Sequence, residues 1–352
     1  MTNELTQCRP FGRCVAARLA SVSVVANGRP LLSDVTFEIA KGSVTAIIGP
    51  NGAGKSTLIA VLAGDIRIES GVVEYCDSTA DARCHDPAAA SIVTPDAKPR
   101  VESGRLDEYE SVATLRVKDL AQRRSVLVQQ SAVAFSYTVR EVVSMGRAAW
   151  GVSASERDED IVNNAMAQTD TRRLANREVT TLSGGENARV AVARVLAQNT
   201  PIVLLDEPTA ALDIAHQERV LGLARSLANA GGSVVVVIHD LDAAAAHADD
   251  VVAMSEGRVV ASGPAQNVMT STILTRVYEH PIDVVTHPLT TRPIVVPRRA
   301  QDLFESGSLS AAARNSGDQI NEGREDHRPK EIRKERVMER RSSYVERGEI
   351  GV

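Results

Sequence analysis

Nine consecutive residues decide the fold: Gly49-Pro50-Asn51-Gly52-Ala53-Gly54-Lys55-Ser56-Thr57. They match GxxxxGK[ST] in full, between the apolar, β-branched run Ser43 to Ile48 and the helix-forming stretch Lys55 to Ala63. Glycines in such a turn let successive backbone N–H groups point inward at an anion, and the following helix adds free N–H groups and its positive dipole end. The order strand, glycine-rich turn, helix predicts a cradle for the phosphates of a nucleotide.

Two side chains of this phosphate loop have specific expected roles. Lys55 is expected to reach the β- and γ-phosphates as a compact cation. Ser56 is expected to place its hydroxyl on Mg²⁺. The loop therefore predicts ATP and Mg²⁺ as cofactors.

Acidic and basic side chains follow two further apolar runs. Ile202 to Leu205 leads into Asp206 and Glu207, and Val234 to Ile238 leads into His239. Asp206 suits Mg²⁺, through water, and Glu207 suits the polarisation of a water that attacks the γ-phosphate. His239 suits contact with the γ-phosphate and that water. Taken alone, two acids after a strand equally describe a helix cap, and a histidine at a strand end is commonly structural.

These apolar runs alternate with helical stretches, which predicts an α/β fold with a parallel sheet covered on both faces. In such sheets ligands bind at the carboxyl ends of the strands. The phosphate loop, the two acids and His239 are therefore expected at one edge of the sheet.

The pentapeptide Leu182-Ser183-Gly184-Gly185-Glu186 resembles the signature sequence of the ABC ATPase family. Gln129 resembles the Q-loop glutamine of that family, Ala211-Leu212-Asp213 its D-loop, and His239 its switch histidine. The resemblance covers roughly residues 17 to 297. It implies a P-loop NTPase (RecA-like) core with the antiparallel β part of ABC proteins and an inserted α-helical subdomain, at about residues 136 to 200.

The resemblance also implies roles and an assembly. Glu207, His239 and Gln129 would be catalytic, and Ser56, Gln129 and Asp206 would serve Mg²⁺. Two copies would dimerise head to tail, with each ATP between the phosphate loop of one and Ser183, Gly184 and Gly185 of the other. Asp213 would also contact nucleotide.

Further segments are similar to ATP-binding subunits of haemin, siderophore and cobalamin importers. Among these are Arg124 to Gln129, Thr138 to Val143 with Gly146-Arg147, and Val277 to Pro297, which looks most like the haemin importer subunit. The implied function is a peripheral ATPase at the cytoplasmic face of the inner membrane, bound to permease subunits and indirectly to a substrate-binding protein. His280 and His287 leave a haem-ligand interpretation open.

Other functions remain as alternatives. A non-transport ABC ATPase would act on ribosomes or chromosomes, but ribosome-acting members typically carry two cassettes and chromosome-type heads are split by long coiled coils. An exporter ATPase is disfavoured by the Val277 to Pro297 resemblance. A regulator that binds nucleotide without turnover is disfavoured by intact Glu207 and His239.

Two positions depart from the family pattern. The family usually stacks adenine on an aromatic residue before the phosphate loop, whereas Val22 to Asn27 contains no ring, so Val25 is the expected apolar substitute. Asn187 stands where the signature helix usually carries glutamine.

Composition sets the domain limits within the 352 residues. We expect an N-terminal extension over residues 1–16, the ATPase domain over 17–297 with a mobile insertion at about 76–118, and a charged, disordered tail over 298–352. Alternatively the tail docks on a partner or on acidic lipid headgroups, because Arg340, Arg341 and Arg347 make it locally basic.

Charge and composition exclude other classes. Only 3% of the residues are aromatic and the net charge is −5, which argues against a nucleic-acid partner. No apolar stretch is long enough to span a bilayer, and none follows the N-terminal basic residues as in a signal peptide. The four cysteines have no CxxC spacing and are expected to be reduced thiols; a metal site at Cys76, Cys84 and His85 is the alternative.

Overall fold

The computed structural model describes residues 14–76, 109–128, 136–151, 156–210 and 212–299. The chain divides into two units between Arg298 and Arg299, and the description below concerns the first. Its strands, in chain order, are β1 (Val15–Ala26), β2 (Arg29–Ala40), β3 (Val44–Ile48), β4 (Ser70–Cys76), β5 (Tyr109–Ser111), β6 (Arg124–Leu127), β7 (Ile202–Asp206), β8 (Ser233–Val237), β9 (Asp250–Ser255), β10 (Arg258–Pro264), β11 (Ile282–Thr286) and β12 (Pro293–Pro297). Its α-helices are α1 (Lys55–Ala63), α2 (Val117–Arg123), α3 (Val139–Ser144), α4 (Glu156–Gln168), α5 (Gly184–Gln198), α6 (Ile214–Asn229), α7 (Leu241–His247), α8 (Ala265–Val268) and α9 (Ser271–Tyr278).

A six-stranded sheet forms the centre, in the order β10-β9-β3-β8-β7-β6. Its pairings are parallel except for β10 against β9. Every residue of β3, β7 and β8 is buried, which explains why these strands read as unbroken apolar runs. Successive residues of β3 alternate between two cores: Ala46 and Ile48 pack with α6, α7 and α9, whereas Ile47 packs with α1 and β1.

The strand order places the functional segments side by side. β3 leads into the phosphate loop, β8 leads toward His239, and β7 ends at Asp206; β8 lies between the other two. All three strands run in the same direction, so their carboxyl ends meet at one edge of the sheet.

A second sheet is antiparallel, in the order β2-β1-β4-β5. It packs against the other side of α1. Tyr109, Glu110 and Ser111 of β5 pair with Cys76, Tyr75 and Glu74 of β4, although the segment 76–118 was expected to be a mobile insertion. Two features explain the difference: β5 is too short and polar to show periodicity, and the buried side chains of Val112 and Leu120 fix the chain that follows it. Residues 77–108 of the expected insertion, 300–352 of the expected tail 298–352 and 1–13 of the expected extension 1–16 lie outside the described residues. β1 begins at Val15, within the expected extension, and Arg298, within the expected tail, pairs with Asp283.

Helices α3, α4 and α5 share a core of their own, which includes Val143, Met166 and Val190. Arg147, just after α3, donates to the carbonyls of Ala197 and Gln198 at the end of α5. This cation satisfies helix-terminal carbonyls that have no partner inside the helix. The short segment Gly146-Arg147 therefore fixes α3 to α5.

The last elements of the unit are α9 and the hairpin of β11 and β12. Ile282 N–H donates to Thr275 Oγ1 (3.0 Å) and Val284 N–H donates to Ser271 Oγ (2.8 Å), which binds the hairpin to α9. Among the described residues, no helix is both long enough and apolar enough to cross a bilayer.

Candidate functional site

The phosphate loop has the backbone that its glycines predict. Gly49, Gly52 and Gly54 have φ values of 149°, 79° and 96°. A Cβ on Gly49 would lie 2.2 Å from the carbonyl oxygen of Met254 in β9, and one on Gly54 would lie 3.0 Å from that of Leu31 in β2. The loop is therefore pressed against β9 and β2 at two points where only glycine fits.

Lys55 is buried at the start of α1 and folds back over the loop. Its Nζ donates to the carbonyls of Gly49 and Pro50, both at 2.9 Å. Burial lowers the pKa of Lys55, and the charges of Glu207 and Asp206 act in the opposite direction. An ammonium group with three donors spends two of them on the loop, so one remains for a phosphate oxygen.

Asp206 ends β7 as a buried carboxylate. Burial raises its pKa, whereas a hydrogen bond with the side chain of Ser56 lowers it. Its Oδ1 has no hydrogen-bond partner among the described residues. The buried carboxylate of Asp206 and the hydroxyl of Ser56 supply oxygen ligands of the kind that Mg²⁺ prefers. These two residues therefore fit that ion.

Glu207 and His239 form the adjacent pair. Glu207 Oε1 lies 2.5 Å from His239 Nε2. Glu207 has a φ of 50°, in the left-handed region that residues other than glycine adopt at a cost. Its side chain is 12% exposed, whereas that of His239 is 45% exposed. The pair combines a largely enclosed carboxylate with a histidine that is open to solvent.

The signature residues lie at the start of α5. Ser183 caps this helix: its Oγ accepts from the Glu186 N–H, and the Glu186 carboxylate accepts from the Ser183 N–H at 2.9 Å, which lowers the pKa of Glu186. A Cβ on Gly184 would meet nothing within 4 Å. The packing of this chain therefore gives no reason for glycine at that position.

Asp213 caps another helix, α6. Its carboxylate accepts from His216 N–H and lies 2.7 Å from His216 Nδ1, and these contacts lower the pKa of Asp213. No hydrogen bond or ion pair in the described part of the chain joins Ser183 or Asp213 to the phosphate loop. The structure thus brings together the phosphate loop, Asp206, Glu207 and His239, and it leaves Ser183, Gly184 and Asp213 apart from them.

Several other expectations concern further residues. Gln129 and Ala211 lie outside the described residues, as do Cys84 and His85. Val25, the expected substitute for an aromatic ring, is 48% exposed. The described ranges contain no group of three or more His, Cys, Asp or Glu that could hold a metal.

The two histidines considered as haem ligands make hydrogen bonds within the fold. His280 Nε2 lies 2.8 Å from the carbonyl of Arg298. His287 Nδ1 accepts from the N–H groups of Leu289 and Thr290, both at 3.1 Å. Each ring therefore has a structural role in the C-terminal hairpin.

One contact at the site is not predicted by the sequence. The hydroxyl of Tyr278, at the end of α9, accepts from the N–H of Gly49 at 3.0 Å. Tyr278 is part of the Val277 to Pro297 stretch that resembles haemin importer subunits, but nothing in its spacing points to a residue 229 positions earlier.

Comparison with known proteins points to one family. The family model described as ABC transporter matches residues 32–210. A curated relative from Rhodococcus jostii, the hemin import ATP-binding protein HmuV, is 44% identical over 301 residues, which is 85% of this chain and 92% of the relative. The protein of the same name from Nocardia farcinica is 47% identical over 272 residues, 77% of this chain and 83% of the relative.

The fold has counterparts among solved structures. One is a chain of an inward-facing ABC transporter, described as of metal-chelate type, with a TM-score of 0.63 and 24% identity over 82% of this chain and 99% of that one. At that identity the likeness concerns the fold alone, and it confirms the predicted fold class. The family match covers the phosphate loop, the signature, and Asp206 and Glu207 at the end of β7. The chain therefore belongs to the ABC transporter family and is one of its ATP-hydrolysing subunits.

Proposed function

We propose that this chain hydrolyses ATP to drive the import of haem, or of a related iron chelate, through a membrane permease. The observation that carries this proposal is the length of the similarity to the two HmuV proteins. The 301 aligned residues exceed the family match at residues 32–210, so the likeness extends beyond the motifs that all ABC ATPases share.

The site geometry supports an assignment of roles. The loop N–H groups and Lys55 bind the β- and γ-phosphates of ATP. Ser56 and Asp206 are the residues that would hold Mg²⁺, directly or through water, with Gln129 as a further ligand. When bound, Mg²⁺ neutralises the charge that develops on the phosphate oxygens.

Hydrolysis itself falls to Glu207 and His239. Glu207 orients the attacking water and accepts its proton, because it is the carboxylate that follows Asp206 directly after β7. His239, 2.5 Å from Glu207, fixes the carboxylate and contacts the γ-phosphate. Glu207 is largely enclosed, so the local dielectric constant is low. This strengthens its interactions with the attacking water and with His239.

The separation of Ser183 and Gly184 from the phosphate loop supports a homodimer. These residues offer a hydroxyl, backbone N–H groups and a helix N-terminus, and Arg177 beside them is paired with Glu186 (3.5 Å). In the described part of the chain no hydrogen bond or ion pair joins them to Lys55 and the phosphate loop. In a head-to-tail dimer they complete the ATP site of the second copy, and Asp213 approaches the same nucleotide. ATP then stabilises the closed pair and hydrolysis reopens it, which moves the permease.

Exposed apolar side chains support a protein partner next to α2. Val117, Met145 and Trp150 are exposed, and α2 is joined to the segment after α3 by a hydrogen bond from Gln122 to the Ala149 carbonyl. We assign this surface to the permease, at the cytoplasmic face of the membrane. A substrate-binding protein on the other side would contact only the permease.

Reconstitution tests the function directly. The full-length chain is placed with its permease in liposomes that enclose a haem-binding protein, and accumulated haem is measured by absorbance. ATP-dependent accumulation that is absent in Lys55→Ala supports haem import. Transport of ferric siderophore or cobalamin, but not haem, would keep the importer and correct the substrate. ATPase activity stimulated by ribosomes and not by the permease would overturn the proposal in favour of a non-transport ATPase.

A further inference from the structure

Gly49, the first residue of the phosphate loop, is held from two sides. The Met254 carbonyl oxygen lies close on the side where a Cβ would be, and the Gly49 N–H donates to the Tyr278 hydroxyl at 3.0 Å. Tyr278 is the last residue of α9, and Val277 before it is fully buried. Burial raises the pKa of Tyr278 to about 12, so its hydroxyl stays neutral at physiological pH.

The same C-terminal segment reaches a second part of the site. Val295 N–H, in β12, donates to Asp242 Oδ1 at 2.8 Å. Asp242 is in the first turn of α7, and Asp240 caps that helix by accepting from the N–H groups of Asp242 and Ala243. His239 immediately precedes this cap. The position of α7 therefore fixes the backbone that presents His239 to Glu207.

These two contacts belong to one rigid piece. The hydrogen bonds of Thr275 and Ser271 to β11 join α9 to the hairpin, and Leu274, Val277, Ile282 and Val295 share the core that covers one face of the central sheet. We name residues 271–297 the C-terminal brace. It touches the site at two points along one edge of the central sheet: through Gly49, which follows β3, and through α7, which follows β8.

We propose that the C-terminal brace positions both halves of the hydrolytic site: Tyr278 holds the start of the phosphate loop, and Val295, through Asp242, holds the helix that follows His239. Tyr278 and Asp242 are positioning residues, since neither is placed on ATP. Loss of each of the two contacts is expected to have a different consequence. Loss of the Gly49 contact leaves a loop N–H without its partner and weakens phosphate binding, whereas loss of the Asp242 contact displaces His239 and slows hydrolysis.

The first test uses Tyr278→Phe, which removes only the phenol oxygen. Tyr75→Phe is the matched control, because the buried Tyr75 hydroxyl donates to the Leu62 carbonyl, away from Gly49. For the full-length chain, we expect KM and the Kd of a fluorescent ATP analogue to rise about three- to tenfold in Tyr278→Phe, as expected for one lost hydrogen bond. The kcat should stay within about twofold of wild type, and the Kd of Tyr75→Phe should not change.

The second test uses Asp242→Ala, with Asp242→Asn as the conservative variant that keeps an acceptor oxygen. We expect kcat to fall about three- to tenfold in Asp242→Ala with KM nearly unchanged, and to recover in Asp242→Asn. Thermal unfolding of all four variants shows whether they fold.

Three results would contradict the proposal. Wild-type ATP affinity in folded Tyr278→Phe would show that the phenol does not position the loop. Equal losses in Tyr278→Phe and Tyr75→Phe would reduce the effect to general stability. If Asp242→Ala matched Asp242→Asn in kcat, the contact between Val295 and Asp242 would have no role in positioning His239.

Discussion

Glu207 Oε1 and His239 Nε2 lie 2.5 Å apart, although the two residues are 32 positions apart in sequence. The contact exists because β7 and β8 are parallel neighbours in register, with Asp206 opposite Val237. Glu207 comes one residue after that pair and His239 two residues after it. The sheet therefore sets the distance between the proposed base and the histidine that fixes it.

Glu207→Gln is expected to abolish turnover and keep ATP binding. The amide has the shape of the carboxylate but cannot accept the proton of water, so kcat should fall about 10²- to 10⁴-fold. Steady-state phosphate release and ATP-analogue titration measure the two properties separately. Near wild-type hydrolysis in this variant would show that another group is the base.

Lys55→Ala is expected to weaken nucleotide binding and to remove transport. Lys55 is the buried cation that bridges the loop carbonyls, and its ammonium is the one donor group of the loop that carries a full charge. Lys118→Ala removes an exposed lysine and serves as the control for ATP affinity only, because α2 lies at the surface assigned to the permease. Equal ATP affinity in the two variants would contradict the assignment of the phosphate loop.

Asp206→Asn is expected to stabilise the nucleotide-free chain while it removes Mg²⁺-dependent hydrolysis. Burial raises the pKa of Asp206, so the folded state binds this proton more tightly than the unfolded state. Wild type and variant should be about equally stable below the ordinary value of 3.8, and wild type should lose stability relative to the variant as the pH rises above it. Melting curves at several pH values measure this, and we expect Asp206→Asn to melt roughly 2 °C higher at pH 7. A lower melting temperature at pH 7 would contradict the desolvation argument.

Gly184→Asp is expected to disrupt the ATP site of the dimer without destabilising the fold of a single chain. The added side chain meets open space and places an acid in the first turn of α5, so the melting temperature of the monomer should not fall. In the dimer the same carboxylate would face the phosphates of the second copy, so ATPase activity should be lost. Gly222→Asp, at another open glycine in α6, introduces the same charge and should keep its activity. Full activity in Gly184→Asp would argue against a signature that faces ATP.

The sequence predicts those parts of the site that depend on local patterns. The phosphate loop and α1 follow from spacing alone, because they come directly after a buried run in a parallel sheet. Asp206 and Glu207, at the end of another buried run, become predictable only in combination with that loop. Helix α5 was also predictable, since Ser183 and Glu186 form a capping box.

The remaining parts depend on contacts between distant segments. β5 is three residues long and polar, so only its pairing with β4 reveals it. The contact between Tyr278 and Gly49 spans 229 positions and requires the packing of α9 on the central sheet. Asp213 caps the N-terminus of α6, and this role accounts for its conformation within one chain. Its approach to nucleotide therefore stays a prediction.

The most direct test of the account is the ATP-dependent mass of the Glu207→Gln chain. Sedimentation velocity of this variant with and without MgATP shows whether two copies close on nucleotide. We predict a monomer without ATP, a dimer at saturating ATP, and a monomer again when Gly184→Asp is added. A chain that stays monomeric at saturating ATP, while wild type hydrolyses ATP at a specific rate independent of protein concentration, would contradict the claim that each copy holds complementary halves of the site.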